Sequence, residues 1–342
     1  MKILFVIKAN TDYAGSYSKC SGGLLNSAKF VSDMFMDYNE YGRPWVESRV
    51  VEVQDNNDID RAVSEFSRYR EGAVNYVVIE ALWVVPEKFD ILQKLYPNIK
   101  WIIRLHSHIP FLANEGIAVD WLQKYDNYEN VFIGVNYYPA KESLEKILGK
   151  KVLYLPNYYP ISEPEQKVFH DESLLEIGCF GAIRPMKNQL IQAMAAIRFA
   201  EELDKDLFFH INIARVEQKG EEVLKNIRAL FNGSGATLVE HPWLNHSDFV
   251  KLVKCMDLGM QVSLSETYNI VAADFVNQEV PIVTSSEIEF INHFSHCSNK
   301  DINSIIKALR FAYDYPKLNA WRNKQMLKSN SERARKEWLK LK

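Results

Sequence analysis

The residues best suited to chemistry form one run, Ser263-Leu264-Ser265-Glu266-Thr267-Tyr268-Asn269-Ile270-Val271-Ala272-Ala273-Asp274-Phe275, which leads to Pro281-Ile282-Val283. Glu266 and Asp274 are eight residues apart. If this run opens a helix with ~3.6 residues per turn, both carboxylates fall on one side. Carboxylates partner sugar hydroxyls, and a helix start offers unpaired backbone N–H groups to an anion. The combination suits a ligand that carries both a sugar and a phosphate.

Cations for that phosphate occur upstream. Gly181-Ala182-Ile183-Arg184-Pro185-Met186-Lys187-Asn188 reads as a strand-to-helix loop, and Arg184 and Lys187 within it suit a diphosphate. A third group lies at His106-Ser107-His108-Ile109-Pro110-Phe111, directly after an apolar strand-like run at 101–105. A histidine there can contact a substrate hydroxyl or transfer a proton near neutral pH. The spacing of His106 and His108 is compatible with a metal pair, but no third ligand is evident. His293, His296 and Cys297 have ligand-like spacing without a second cluster. No metal is therefore expected.

The elements that position these groups can be read from apolar periodicity. Residues 2–7 form a buried strand, followed by a loop through Ser21-Gly22-Gly23 and a helix over 24–38 with Leu24, Ala28, Val31, Met34 and Phe35 on one face. Gly22 and Gly23 permit close backbone approach to a ligand, but this is not G-x-G-x-x-G and so not a dinucleotide fingerprint. Strands follow at 49–53, 76–80, 101–105, 131–135 and 152–155, with helices such as 58–69 and 86–96 between them. After Pro156-Asn157-Tyr158-Tyr159-Pro160 a second series begins. Its strands are 175–180, 207–214, 237–240 and 258–262; its helices are 189–203, 221–231 and 247–255. Such alternation predicts α/β architecture with parallel sheets covered on both faces, and ligands bind beyond the carboxyl ends of such strands. Residues 302–313 form an amphipathic helix, Pro316 breaks the chain, and a charged helical tail runs from 321 to 342.

Composition excludes several classes. The 342 residues suit two domains, and a net charge of −3 speaks against a broad nucleic-acid surface. Four scattered cysteines with no C-x-x-C pair read as core residues of a reducing compartment. No run approaches the ~18 apolar residues of a membrane span, and residues 1–7 are too short for a signal sequence. A cytoplasmic protein without stable membrane insertion is expected.

Together these residues resemble the GT-B glycosyltransferases, in particular the retaining group called glycosyltransferase family four. Gly181, Arg184, Lys187 and Asn188 are similar to the G-x-x-R…K segment of that family. Glu266 to Asp274 is similar to its E-x7-E motif, with Asp in the second acidic position, and Glu279-Val280-Pro281-Ile282-Val283 follows where the family has Gly-Val-Pro. The resemblance implies two Rossmann-like domains facing across a cleft: 1–156 on the acceptor side, 157–315 binding the nucleotide sugar, and 316–342 returning to the first. It implies a retaining transfer of a hexosyl or pentosyl group from a nucleoside-diphosphate sugar to an acceptor hydroxyl, with no cofactor and no obligatory metal. His106, Arg184, Lys187 and Glu266 would be catalytic. Gly22, Gly23, Thr267, Tyr268, Asn269 and Asp274 would bind the donor, with Glu266 on the sugar and Asp274 on the ribose. His108, Phe111, Asn114 and Glu115 are acceptor candidates, as are Tyr13 and Tyr17. The acceptor is a glycan, a small molecule or a modified DNA base. The alternatives are a viral-type glycosyltransferase of hydroxymethylated bases, a phosphorylase or epimerase on the same fold, and a non-catalytic nucleotide-sugar-binding protein.

Overall fold

The computed structural model describes residues 1–11, 17–18, 22–37, 46–69, 72–112, 115–166, 171 and 173–341. Tyr13, Cys20, Ser21 and Asn114 lie outside them. The chain divides into two compact units, 1–160 with 331–342, and 161–330. The resemblance implied boundaries at 156 and 315.

The first unit runs β1 (Lys2–Lys8), β2 (Asn10–Thr11), β3 (Tyr17–Ser18), α1 (Gly22–Asp37), β4 (Glu47–Val53), α2 (Asp58–Arg68), β5 (Tyr76–Glu80), α3 (Phe89–Leu95), β6 (Lys100–Leu105), α4 (Ile109–Leu112), α5 (Ala118–Tyr125), β7 (Val131–Val135), α6 (Tyr138–Leu148) and β8 (Leu153–Tyr154). Six strands form a parallel sheet in the order β4-β1-β5-β6-β7-β8. Its central strands are continuous apolar runs because both faces are covered: Leu4, Val6, Val77 and Ile79 pack on one side, Ile3, Phe5, Val78 and Ile102 on the other. α1 begins at Gly22, so Gly22 and Gly23 are its first residues rather than part of the expected loop.

The second unit runs β9 (Leu174–Gly178), α7 (Gln189–Leu203), β10 (Asp206–Asn212), α8 (Gly220–Asn232), β11 (Thr237–His241), α9 (His246–Cys255), β12 (Leu258–Gln261), α10 (Ile270–Asn277), β13 (Ile282–Thr284), α11 (Ile302–Asp314) and α12 (Pro316–Trp338). Its parallel sheet has the order β11-β10-β9-β12-β13. The reversal at β9–β12 is a topological switch point, the place where α/β sheets collect ligands. Both the Gly181–Asn188 loop and the Ser263–Asn269 loop leave from it.

Three local readings change. Pro316 does not break the chain. It is the first residue of α12, where its missing N–H costs nothing. α12 is shared at its C-terminal turns: from Ser331 onward it belongs to the first unit, where Trp338 is fully buried against Phe5 and Phe35 and donates from Nε1 to Pro156 O at 2.8 Å. Trp321, in contrast, is 60% exposed. Glu279, where a glycine is usual, takes the left-handed conformation itself (φ +57°), with its carboxylate 2.6 Å from Lys324 Nζ.

α10 is seated by the absence of a side chain. A Cβ on Gly259 of β12 would lie 2.7–2.9 Å from three ring atoms of Phe275. Gly259→Ala therefore forces Phe275 and α10 outward. We expect a loss of about 1–3 kcal/mol in a denaturant titration, with secondary structure retained.

Candidate active site

In the second unit a set of side-chain amides draws two loops together. Gly181 has φ +114°, which only glycine adopts without strain, and a Cβ there would meet nothing within 4 Å, so its backbone is open to approach. Its N–H donates to Asn212 Oδ1 at 3.0 Å. Asn188 begins α7 in the left-handed region (φ +59°), which Asn tolerates better than most residues. Its Nδ2 donates to Val262 O at 3.1 Å and to Asn299 O at 2.8 Å. Gln192 donates to Lys187 O at 2.8 Å and accepts from Val262 N at 2.9 Å. Leu264 N reaches Met186 O at 2.9 Å. The loop after β9 is thus stitched to the end of β12.

The consequence is an ion pair across 79 residues: Lys187 Nζ lies 2.5 Å from Glu266 Oε2. Their side chains are 12% and 9% exposed. The same oxygen receives Ser263 Oγ at 3.4 Å and Asn269 Nδ2 at 3.3 Å. Burial, and to a lesser degree Arg184, lower the Lys187 pKa, while Glu266 opposes them. The ammonium has three donors, so it can keep Glu266 and still meet a phosphate oxygen. Arg184 lies beside it on a second carboxylate, with Nη1 at 3.8 Å from Glu217 Oε2, and Arg215 Nε also bonds Glu217. The Arg215 guanidinium stands 5.8 Å from the Trp243 ring centroid.

Glu266 is not on a helix. α10 starts at Ile270, with Asn269 as its N-cap accepting from Ala272 N at 3.0 Å. The eight residues from Glu266 to Asp274 therefore do not make two helical turns, and the two carboxylates have separate surroundings. Asp274 is buried, and its Oδ1 accepts from His246 Nε2 at 2.8 Å. Thr267 is half-buried. The Tyr268 ring packs on Phe290 at 4.7 Å, and burial, then Asp274, push its hydroxyl well above the ordinary range, so it stays neutral.

In the first unit His106 follows β6 and bonds Glu80 Oε2 through Nε2. His108 packs on Tyr137 at 4.8 Å between ring centroids, and Glu115 Oε1 accepts from Ser107 Oγ at 2.8 Å. Phe111 lies in α4; its side chain, with Asn114, is outside the described residues. His106 and His108 are held in different contacts, as are His293, on Phe294, and Cys297, on Thr284 O. Among the described residues no group of three His, Cys, Asp or Glu side chains could hold a metal ion. No described helix is long and apolar enough to cross a membrane.

Sequence reasoning passed over Glu217, Arg215, Asn212, Gln192 and His246. The last three are recognisable only by partners 28–70 residues away. Asn188 stood inside the segment already singled out, and its type beside a predicted helix start was the available signal.

Burial would lower the pKa of His246, but the Asp274 hydrogen bond and charge outweigh it and raise the value above 6.5. A raised value means that this pair stabilises the fold fully below pH 6.5 and that the contribution is lost as pH rises through the folded pKa. In Asp274→Asn, imidazole titration followed by NMR should show the His246 pKa falling below 6.5.

No protein-family model matches the sequence, and no curated protein matches it. Solved structures do. A UDP-forming α,α-trehalose-phosphate synthase from Burkholderia xenovorans is 12% identical, with 99% of this chain and 98% of that chain covered at a TM-score of 0.69. A trehalose-6-phosphate synthase structure is 10% identical, with 98% of both chains covered at 0.70. An E. coli trehalose-6-phosphate structure bound with UDP-2-fluoro glucose is also 10% identical, with 98% of both covered at 0.65. At such identity the likeness is one of fold: two Rossmann-like domains of the GT-B type.

Proposed function

We propose that the protein is a retaining glycosyltransferase that moves a hexosyl group from a nucleoside-diphosphate sugar to an acceptor hydroxyl. The observation that carries this reading is the Lys187–Glu266 pair, with Arg184 beside it, at the switch point of the second sheet in a GT-B fold. Arg184 and Lys187 bind the diphosphate and neutralise the charge that grows on the departing oxygen. Glu266 takes sugar hydroxyls while Lys187 holds its other side. The open backbone at Gly181 admits the phosphates closely. Within the first unit, His106 at the end of β6 is the group offered to a sugar hydroxyl. The trehalose-phosphate synthases that share the fold, one of them bound with UDP-2-fluoro glucose, make UDP-hexoses the first donors to try. No resident cofactor enters this scheme, and the acceptor is a glycan or a small hydroxylated molecule.

Asp274 is kept as the ribose contact that the motif implies, with His246 bonded to its Oδ1.

Donor hydrolysis or transfer with UDP-glucose should fall at least about tenfold, or ~1.4 kcal/mol, in both Arg184→Ala and Lys187→Ala. Wild-type turnover in both variants sinks the phosphate assignment. Because Lys187→Ala strands Glu266 in a buried site, its cost and that of Glu266→Gln should not add in the double variant. A nucleoside diphosphate at 100 times its Kd should stabilise the wild type by about 2.7 kcal/mol, visible as a thermal shift; no shift with any nucleotide argues for a protein that does not use one.

A further inference from the structure

Within the second unit the first turns of α12 are partly inverted. Their buried side carries Asn319, Asn323 and Lys324 beside Ala320 and Leu327. The polar members are all held. Asn319 accepts from Ile282 N at 3.0 Å and donates to Ile282 O at 3.2 Å. Asn323 Oδ1 accepts from Asn292 N at 2.9 Å, and Lys324 is paired with Glu279. Because the partners of both asparagines are backbone groups, they fix the rotation of the helix about its axis. Leu318, Trp321 and Met326 are thereby left outside, although burial would be the favoured state of such side chains.

The exposed apolar groups are contiguous. Tyr315 is 57% exposed and Phe294 49%. Tyr315 O accepts from Asn319 N at 3.0 Å, so the helical spacing already holds there. Positions 315, 318, 321 and 322 are then neighbours on one face. The rings of Phe311 and Tyr315 are 5.4 Å apart, and those of Phe294 and Phe311 6.2 Å. The Arg322 guanidinium stands 4.5 Å from the Phe294 ring centroid. Apolar side chains exposed singly are normal, whereas a joined group marks a surface that something covers.

The charge on this face has one sign. From Ile302 to Ser331 the sequence has six Lys and Arg and a single carboxylate, Asp314. Arg310 is paired with Glu202, and Lys324 with Glu279. Among the described residues Lys317, Arg322 and Lys328 form no ion pair. At ~100° per residue, Lys317 and Lys328 fall on one flank of Leu318 and Trp321, and Arg322 on the other. Aromatic rings, aliphatic side chains and flanking cations on one helix face suit the boundary of a bilayer, where long basic side chains reach the phosphates. A nucleic acid would stack on the rings but has no use for Leu318 and Met326. A second copy across a two-fold axis would bring the same cations together.

We propose that this face of the second unit docks on an anionic lipid surface, with Leu318 and Trp321 at headgroup level and Lys317, Arg322 and Lys328 on lipid phosphates. The helix lies on the bilayer; no described helix is long and apolar enough to cross it. None of these residues contributes to the Lys187–Glu266 site, and lipid binding requires no sugar transfer.

The test is co-sedimentation of the full chain with vesicles of phosphatidylcholine alone, and of phosphatidylcholine and phosphatidylglycerol in equal amounts. Binding to the mixed vesicles should weaken as salt rises and be at least about tenfold tighter than to phosphatidylcholine alone. Leu318→Ser with Trp321→Ser should lower partitioning at least about tenfold. Lys317→Gln, Arg322→Gln and Lys328→Gln together should do the same on the mixed vesicles only. Acyl chains carrying bromine should quench tryptophan emission of the wild type, and most of that quenching should be lost in Trp321→Phe, a mild change at an exposed position. No binding to the mixed vesicles, binding that both sets of substitutions leave intact, or equal quenching in Trp321→Phe overturns the proposal. So does a face that binds no vesicle but forms a dimer lost on substitution of Trp321, or retards an oligonucleotide only with its three cations present; it then belongs to a second copy or to a nucleic acid.

Discussion

A charge can be taken out of water only if another charge or a full set of hydrogen bonds goes with it. Both units are arranged around that constraint at the carboxyl ends of their parallel strands. In the first, Arg104 is completely buried and is answered by Glu80 from the adjacent strand. In the second, Lys187 is nearly buried and is answered by Glu266. The two solutions differ in completeness. Arg104 has a protein partner at each of its three guanidinium nitrogens, which makes it a fixed support. Lys187 has one carboxylate contact and two further ammonium protons, so its ion pair can meet a ligand.

The surroundings of each pair follow from this difference. Around Arg104, the carbonyl of Leu155, the amide of Asn157 and the ring of Trp338 bring the end of the first sheet and the last turns of α12 to one place. Around Lys187, neutral amides from Asn188, Gln192 and Asn269 set the backbone without adding charge. Amides suit this task because each offers donors and an acceptor at once. The loops are thereby held in register while the electrostatics are left to Arg184, Lys187, Arg215, Glu217 and Glu266.

Two departures from the glycosyltransferase motif that the sequence resembles have local compensation. Glu279 occupies a left-handed position that glycine would fill without strain, and its carboxylate bonds Lys324 of α12. Gln278 beside it is buried and accepts from Glu165 N at 2.7 Å, while Asn277 accepts from Ser162 N at 3.0 Å. Asn277 and Gln278 therefore anchor the segment at 162–165. Asp274, likewise, is balanced by a histidine that has no place in the motif.

By itself the sequence determined the architecture. Apolar runs such as residues 3–7 and 101–103 could only be strands covered on both faces, and their alternation with amphipathic segments left a parallel α/β arrangement. It also placed Arg184, Lys187, Glu266 and His106 at strand ends, because periodicity changes where a strand stops. Tertiary structure decided the partners. Lys187 with Glu266, Asp274 with His246, and His106 with Glu80 join residues 79, 28 and 26 positions apart. No local spacing encodes such pairs, since strand order, not chain order, brings them together. The same reason undid the two-turn argument for Glu266 and Asp274: helical spacing holds only inside a helix, and the cap at Asn269, seated by Gln261 of the neighbouring strand, starts that helix after Glu266.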